Sequence, residues 1–205
     1  MADCRRLSAV VLVGGRSSRM GRDKATLPFD GTTLIERTVA TLHRAFADVL
    51  VVAAPESISE KFPTLDATII RDEAPFAGPV PALLIGLRAA RYDPVFACSC
   101  DLPMLNAALA AWLCSIITEK NDAVIPIVSE RLQVLHAVYR KRCTSALDTM
   151  LASGEKSLRA LAPLLDVRAV VESDMRQIDP ELRSFFNLNT PDDYAAAVEL
   201  VGSRK

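Results

Sequence analysis

Arg16, Arg19, Arg22 and Lys24 crowd the segment that begins with Gly14 and Gly15, directly after the apolar run Val10-Val-Leu-Val13. Glycines let a backbone approach a ligand closely, and bare N–H groups together with mobile cations can hold several anionic oxygens. The chemistry that suits this composition is polyphosphate binding. A solvated basic turn after a core strand is the plainer alternative. Asp101 follows a second apolar run, Val95-Phe-Ala-Cys-Ser-Cys100. A carboxylate at the exit of a buried strand stands where open α/β sheets bind ligands. Its oxygens suit magnesium, which takes one or two carboxylates plus substrate phosphates and water. A turn-forming aspartate before Leu102-Pro103 is the alternative there.

Other residues point to the same crevice less sharply. Asp72 leaves a short strand in Arg71-Asp-Glu73 and could accept hydrogen bonds from a base or ribose, or simply be solvated. Asn187 and Asn189 flank Leu188; alternation on a strand would turn both to one face, toward substrate or metal-bound water. Ending a strand and feeding a helix is an equally good reason for them. His136 sits in an apolar strand, where a satisfied core histidine is favoured over a catalytic one, and His43 reads as a surface or boundary residue. No Ser-His-Asp grouping and no H-x-x-x-H pair is evident. The glycine loop is neither a Walker A motif, since Arg22 follows Gly21, nor G-x-G-x-x-G, so hydride-transfer cofactors have little support.

These side chains need elements to hold them. Strand-like and helix-like segments alternate, which predicts an α/β fold with a largely parallel sheet. Strands are expected at 9–13, 49–54, 67–70, 94–100, 122–128, 134–139, 167–172 and 185–188. The pair at 122–128 and 134–139, joined by Ser129-Glu-Arg131, is expected to be antiparallel. A helix should follow Gly31, with Thr33 and Glu36 at capping-box spacing and Ile35, Val39, Leu42 and Phe46 on one face. Further helices are expected at 82–90, 105–120, 143–152 and 157–165, with an ordered loop at 72–81. The last helix starts at Thr190-Pro-Asp-Asp193, where Thr190 caps, Pro191 suits the first turn and the aspartates complement the dipole. No repeat or linker marks a second domain, so residues 1–205 read as one.

Composition narrows the class. The chain has 205 residues, half of them hydrophobic and 24% charged, which supports a folded core and excludes disorder. A net charge of −1 argues against a general nucleic-acid binder. Arg5-Arg6 before Leu7 superficially resembles a twin-arginine signal, but the apolar run is short and ends in Gly-Gly-Arg, as a first core strand does. No stretch approaches the roughly 20 apolar residues that span a membrane. Cys4, Cys98, Cys100, Cys114 and Cys143 are irregularly spaced with no C-x-x-C pair, which disfavours zinc and suits a reducing cytoplasm. Cys98 and Cys100 should share one face of a strand as small core residues.

The motifs together resemble those of the molybdenum cofactor guanylyltransferases, within the nucleotidyltransferase superfamily. Leu12-Val-Gly-Gly-Arg-Ser-Ser-Arg-Met-Gly-Arg-Asp-Lys24 is similar to the family signature L-A-G-G-x-S-x-R-M-G-x-D-K. Gly78-Pro79, Cys100-Asp-Leu-Pro103, His136-Ala-Val-Tyr-Arg140 and Asn187-Leu-Asn-Thr-Pro191 follow in the expected order over most of the chain. Two positions depart from the pattern: Val13 replaces the usual alanine where the base should approach, and G-P-L-A-G reads Gly78-Pro-Val-Pro-Ala82.

The resemblance implies a three-layer Rossmann-like nucleotidyltransferase fold with a mostly parallel sheet and a small antiparallel element. It further implies transfer of GMP from GTP to molybdenum-bearing molybdopterin with release of pyrophosphate. On that reading Arg19 and Lys24 hold the polyphosphate and Asp101 anchors Mg2+. Leu12, Val13, Gly14 and Gly15 present backbone to the nucleotide, Asp72 contacts the nucleoside, and Asn187 and Asn189 face the pterin. Partners implied are the molybdenum-insertion protein and apo-molybdoenzymes or their chaperones, with no nucleic acid and no membrane. A molybdopterin cytidylyltransferase, a sugar-phosphate or alditol-phosphate nucleotidyltransferase, and a nucleotide sensor without catalysis stay open as alternatives.

Overall fold

The computed structural model describes residues 6–14, 24–53, 65–71 and 78–202. Its central element is β1 (Ser8–Val13), a Val-rich strand buried at every position. Alternation sends Ala9, Val11 and Val13 into one core and Val10 and Leu12 into another, as a strand covered on both faces requires. The chain continues through β2 (Pro28–Phe29), β3 (Thr32–Thr33), α1 (Leu34–Leu42), β4 (Asp48–Ala53), β5 (Thr68–Arg71), α2 (Pro79–Ala89), β6 (Val95–Ser99) and α3 (Ala107–Ser115). Then come β7 (Ala123–Val128), β8 (Arg131–Leu132), β9 (His136–Tyr139), α4 (Thr144–Ala152), β10 (Val167–Val170), α5 (Glu172–Met175) and α6 (Pro191–Gly202).

The main sheet has the order β10-β7-β9-β6-β1-β4-β5, with β8 attached to β7. Parallel ladders join β1 to both β4 and β6, β4 to β5, and β7 to β10. Only β9 in this order runs against its neighbours, pairing antiparallel with β6 and β7. Helices α1 and α3 cover one face with Ile35, Val39, Leu42, Leu109 and Leu113. Helices α2 and α4 cover the other with Val80, Leu83, Leu87, Leu147 and Met150. The expected three-layer, mostly parallel architecture is therefore present. A third, smaller core of Leu27, Phe29, Leu34, Leu188 and Ala197 joins the β2–β3 hairpin to α6.

Local chemistry explains most boundaries. Helix α1 begins at the expected capping box: Thr33 Oγ1 accepts from the Glu36 N–H, and the Thr33 N–H donates to Glu36 Oε2 at 2.9 Å. Helix α2 starts earlier than expected. Pro79 and Pro81 fall in its first turn, where the missing N–H groups would lack helical partners anyway. Helix α3 is shorter than 105–120, capped by Asn106, whose Oδ1 accepts from Ala108 N and Leu109 N. It ends where Ile116-Ile-Thr118 brings β-branched residues of low helix propensity.

The strand expected at 185–188 does not form. Leu182 adopts left-handed φ, Arg183–Phe185 make a 3-10 turn, and the Leu188 N–H donates to the Asp101 carbonyl instead of joining a ladder. The expected 167–172 strand ends at Val170, and Glu172 opens α5. The antiparallel β7–β9 pairing is as expected. The chain first inserts a tight hairpin to β8 through Ser129 and Glu130, both at positive φ. The β2–β3 hairpin was not anticipated, although Asp30-Gly31, both at positive φ, is a strong two-residue turn signal.

Gly86 of α2 lies against β1: a Cβ there would sit 2.5 Å from Val10 Cγ1. Overpacking of this kind costs about 1–3 kcal/mol and outweighs the roughly 1 kcal/mol of helix propensity that alanine offers. Gly86→Ala should therefore lower the urea midpoint, and the Gly86→Ala/Val10→Ala pair should lose less stability than the two single changes added together.

Candidate active site

The carboxyl ends of β1 and β6 lie side by side, since Leu12 pairs with Ser99 in a parallel register. The chain runs β1, β4, β5 in one direction along the sheet and then crosses back to β6 on the other side of β1. This reversal opens a crevice at the strand ends, where doubly wound sheets bind ligands. Gly14 leaves β1 there, exposed, with open space where a Cβ would be.

Three sequence-distant residues converge beside it. Lys24 Nζ lies 2.9 Å from Asp101 Oδ2 and 3.1 Å from Asn189 Oδ1. The Ser99 hydroxyl donates to the other carboxylate oxygen, Oδ1. The side chains of Lys24 and Asp101 are 21% and 17% exposed, so a ligand can reach them while much of the surrounding water is excluded.

Each member is held from behind. Lys24 begins a 3-10 turn whose Ala25 is fully buried in the core under α1. Its carbonyl accepts from Leu27 N at 3.1 Å, and Leu27 anchors the third core. Asp101 is fixed by the Leu188 N–H on its carbonyl at 3.0 Å and by Leu102, buried beside it. Asn189 precedes α6, where Asp193 Oδ2 accepts from the N–H groups of Asn189 and Thr190 and the Asp193 N–H donates to Thr190 Oγ1. The Asn189 N–H, then the Thr190 hydroxyl, hold the Asp193 carboxyl below its ordinary value, and the charge of Lys24 adds to this. The cap expected at Thr190 is thus present and helps to aim Asn189.

The sequence-predicted residues divide accordingly. Lys24, Asp101 and Asn189 come together. Asn187 does not join them by the route expected, because without a strand it does not alternate with Asn189; its Nδ2 donates to Phe185 O at 2.9 Å. Val13 is 6% exposed and packs into the core under α1 and α3, so its extra bulk is absorbed there and not directed at a base. Leu12 likewise packs its side chain inward, toward α2, leaving only backbone for a ligand. Gly15, Arg19 and Asp72 lie outside the described residues. Sequence reasoning missed Ser99, although its i, i+2 spacing to Asp101 was a usable signal. It also missed Arg37, whose contact with Pro103 lies far along the chain and left no local trace.

Among the described residues, Asp101 is the carboxylate beside Lys24 that could hold a hard divalent cation. Among the described residues no group of three or more His, Cys, Asp or Glu side chains could enclose a metal. Such a sparse, oxygen-only donor set fits Mg2+, which draws most ligands from water and substrate phosphates, better than a zinc-type cage. Cys98 and Cys100 share one core as expected, and no disulfide joins the described cysteines. Burial pushes the Cys98 thiol far above its usual range, which leaves it inert. No helix among the described residues is long and apolar enough to cross a membrane.

The profile of the MobA-like NTP transferase domain matches residues 9–169. A Mycobacterium bovis protein described as a probable molybdenum cofactor guanylyltransferase is 40% identical over 177 residues, 84% of this chain and 87% of its own. A protein of the same description from Mycobacterium avium is 38% identical over 206 residues, covering 97% and 98%. The crystal structure of molybdopterin-guanine dinucleotide biosynthesis protein A from Archaeoglobus fulgidus superposes with a TM-score of 0.81 at 25% identity, over 96% of this chain and 99% of that one. The 2-C-methyl-D-erythritol 4-phosphate cytidylyltransferase of Thermus thermophilus shares the fold, with a TM-score of 0.72 at 20% identity over 96% and 99%.

His136 belongs to the core behind the site. It is 1% exposed, packed between Phe96 and Phe185, with Nε2 3.4 Å from Ser184 Oγ and Nδ1 without a partner. It is thus a core histidine, as expected, but only half satisfied. Burial lowers its pKa to about 3, against about 6.5 in an unfolded chain. Between those values the unfolded state binds a proton that the native state refuses, so stability falls as pH drops below about 6.5, by up to about 1.4 kcal/mol per pH unit from this residue. Equilibrium unfolding followed from pH 8 to pH 5 should show this slope, and His136→Gln should flatten it by about one proton.

Proposed function

This chain belongs to the MobA-like NTP transferase domain family, and we propose that it transfers GMP from GTP to molybdenum-bearing molybdopterin, forming molybdopterin guanine dinucleotide and pyrophosphate. The observation that carries this reading is the meeting of Lys24, Asp101 and Asn189 at the switch point of the sheet, in a chain similar over most of its length to guanylyltransferases.

The reaction asks little covalent chemistry of the protein. A terminal phosphate oxygen of the pterin attacks the α-phosphorus of GTP in line, and the bond to the α–β bridging oxygen breaks, releasing pyrophosphate. Positioning and charge stabilisation supply the catalysis. Lys24 exchanges Asp101 for phosphate oxygens and offsets the charge that grows on pyrophosphate. Arg19 joins it in this role, Asp72 serves the nucleoside, and the backbone of Leu12, Val13, Gly14 and Gly15 receives the nucleotide, Gly14 being exposed at the end of β1. Asp101, with Ser99 orienting its carboxylate, would hold Mg2+. When bound, that ion draws negative charge from the phosphates and makes the α-phosphorus more electrophilic. Asn189 steadies Lys24 and faces the acceptor. The irregular cysteine spacing with no C-x-x-C pair suits work in the cytoplasm. Acceptor would come from the molybdenum-insertion protein, and product would pass to apo-molybdoenzymes or their chaperones.

Purified protein with GTP, Mg2+ and molybdopterin should release pyrophosphate and form the guanine dinucleotide. Turnover with CTP in place of GTP would move the enzyme to cytidylyl transfer, and turnover with a phosphosugar alone would remove the pterin from the reaction. Asp101→Asn should lower turnover by about 100-fold or more while the circular dichroism spectrum is kept. Unchanged turnover would overturn the role given to Asp101.

A further inference from the structure

The two halves of the candidate site come from distant parts of the chain: Lys24 precedes the β2–β3 hairpin, and Asp101 follows β6. Their ion pair joins these halves in the structure as it stands. On the reading above, which this inference rests on, that same pair must open when nucleotide enters, because Lys24 turns to phosphate and Asp101 to Mg2+. A tie that the chemistry consumes cannot hold the register during the reaction.

Arg37 is placed to hold it instead. From the second turn of α1 its Nε donates to Pro103 O at 2.8 Å, two residues beyond Asp101. Its Nη1 donates to Asp30 Oδ2 at 3.2 Å in the turn of the hairpin that follows Lys24. Its guanidinium also lies over the Phe29 ring, 5.2 Å from the centroid. Phe29 is buried in the same small core as Leu27 and Leu188, so the hairpin cannot shift without dragging the segments that carry Lys24 and Asn189. The planar fork matters here: one side chain meets a backbone carbonyl, a carboxylate and an aromatic face at once, which a lysine ammonium cannot do. None of these contacts uses a group that the transfer requires.

We propose that Arg37 is a positioning residue, a brace that keeps the Lys24 and Asp101 segments in register once their own ion pair has opened for nucleotide and metal. It touches neither substrate nor the reacting atoms. The brace therefore counts for little in the free protein, where the ion pair shares the task, and for much in the loaded one.

Two measurements on Arg37→Gln and Arg37→Lys test this. The first is a stability cycle that needs no substrate. With Lys24→Met removing the ion pair, Arg37→Gln should lower Tm by about 2–4 °C more than it does in the otherwise native chain. Equal losses in both backgrounds would overturn the brace. The second is steady-state turnover with GTP, Mg2+ and acceptor, well below Tm. Arg37→Gln should lower kcat by about tenfold with KM for GTP changed less than threefold, and Arg37→Lys should recover only part of it. Full kcat in Arg37→Gln would also overturn the brace. Failure of the native chain to use GTP would count against the transfer reading alone, because the stability cycle judges the brace without it.

Discussion

The parallel pairing of β1 with a strand on each side is the constraint on which the rest of the molecule depends. A strand buried on both faces must have its backbone satisfied by two ladders and its side chains covered by two helical layers. The crossovers that meet this need carry the chain first to one flank of β1 and then to the other. The carboxyl ends of β1 and β6 are left adjacent. The crevice that follows is a consequence of closing the core, and residues at those two strand ends inherit it as a binding site.

The site is in a self-neutralised state. A cation and a carboxylate that each have a role toward a polyphosphate and its metal are paired with one another, and Asn189 also accepts from Lys24. The pair is partly exposed, so it adds little net stability, and a ligand of higher charge density can replace each partner by the other's substitute. Buried Ala25, Leu102 and Leu188 then share the geometric work with Arg37. Their packing does not depend on charge, so it persists while the ions exchange.

Much of the frame was legible in the chain. β1 and β4 followed from short Val-rich runs and β6 from the apolar run Val95-Phe-Ala-Cys-Ser-Cys100, and the α1 and α6 starts followed from cap spacing. The errors have physical causes. Pro79 and Pro81 read as loop because proline usually ends helices, whereas the first turn tolerates it. Residues 185–188 form a short, mostly apolar run like a strand, yet Asp179 draws the Ser184 N–H into a turn and Asp101 takes the Leu188 N–H, leaving no ladder to join. The Asp30-Gly31 hairpin was missed although its turn chemistry is strong, because its two-residue strands are too short to show periodicity.

The sequence by itself determined the layers, the strand ends and the family, because hydrophobic period, glycine placement and motif order are local properties of the chain. It named Lys24 and Asp101 for the same reason: each stands at the exit of, or shortly after, an apolar run. Only the tertiary structure decided which of the two asparagines meets Lys24, that Val13 faces the core, and that Arg37 spans the hairpin and the Asp101 loop. Those outcomes turn on contacts between residues far apart in the chain, whose geometry is set by how the layers pack and leaves no mark on the residues nearby.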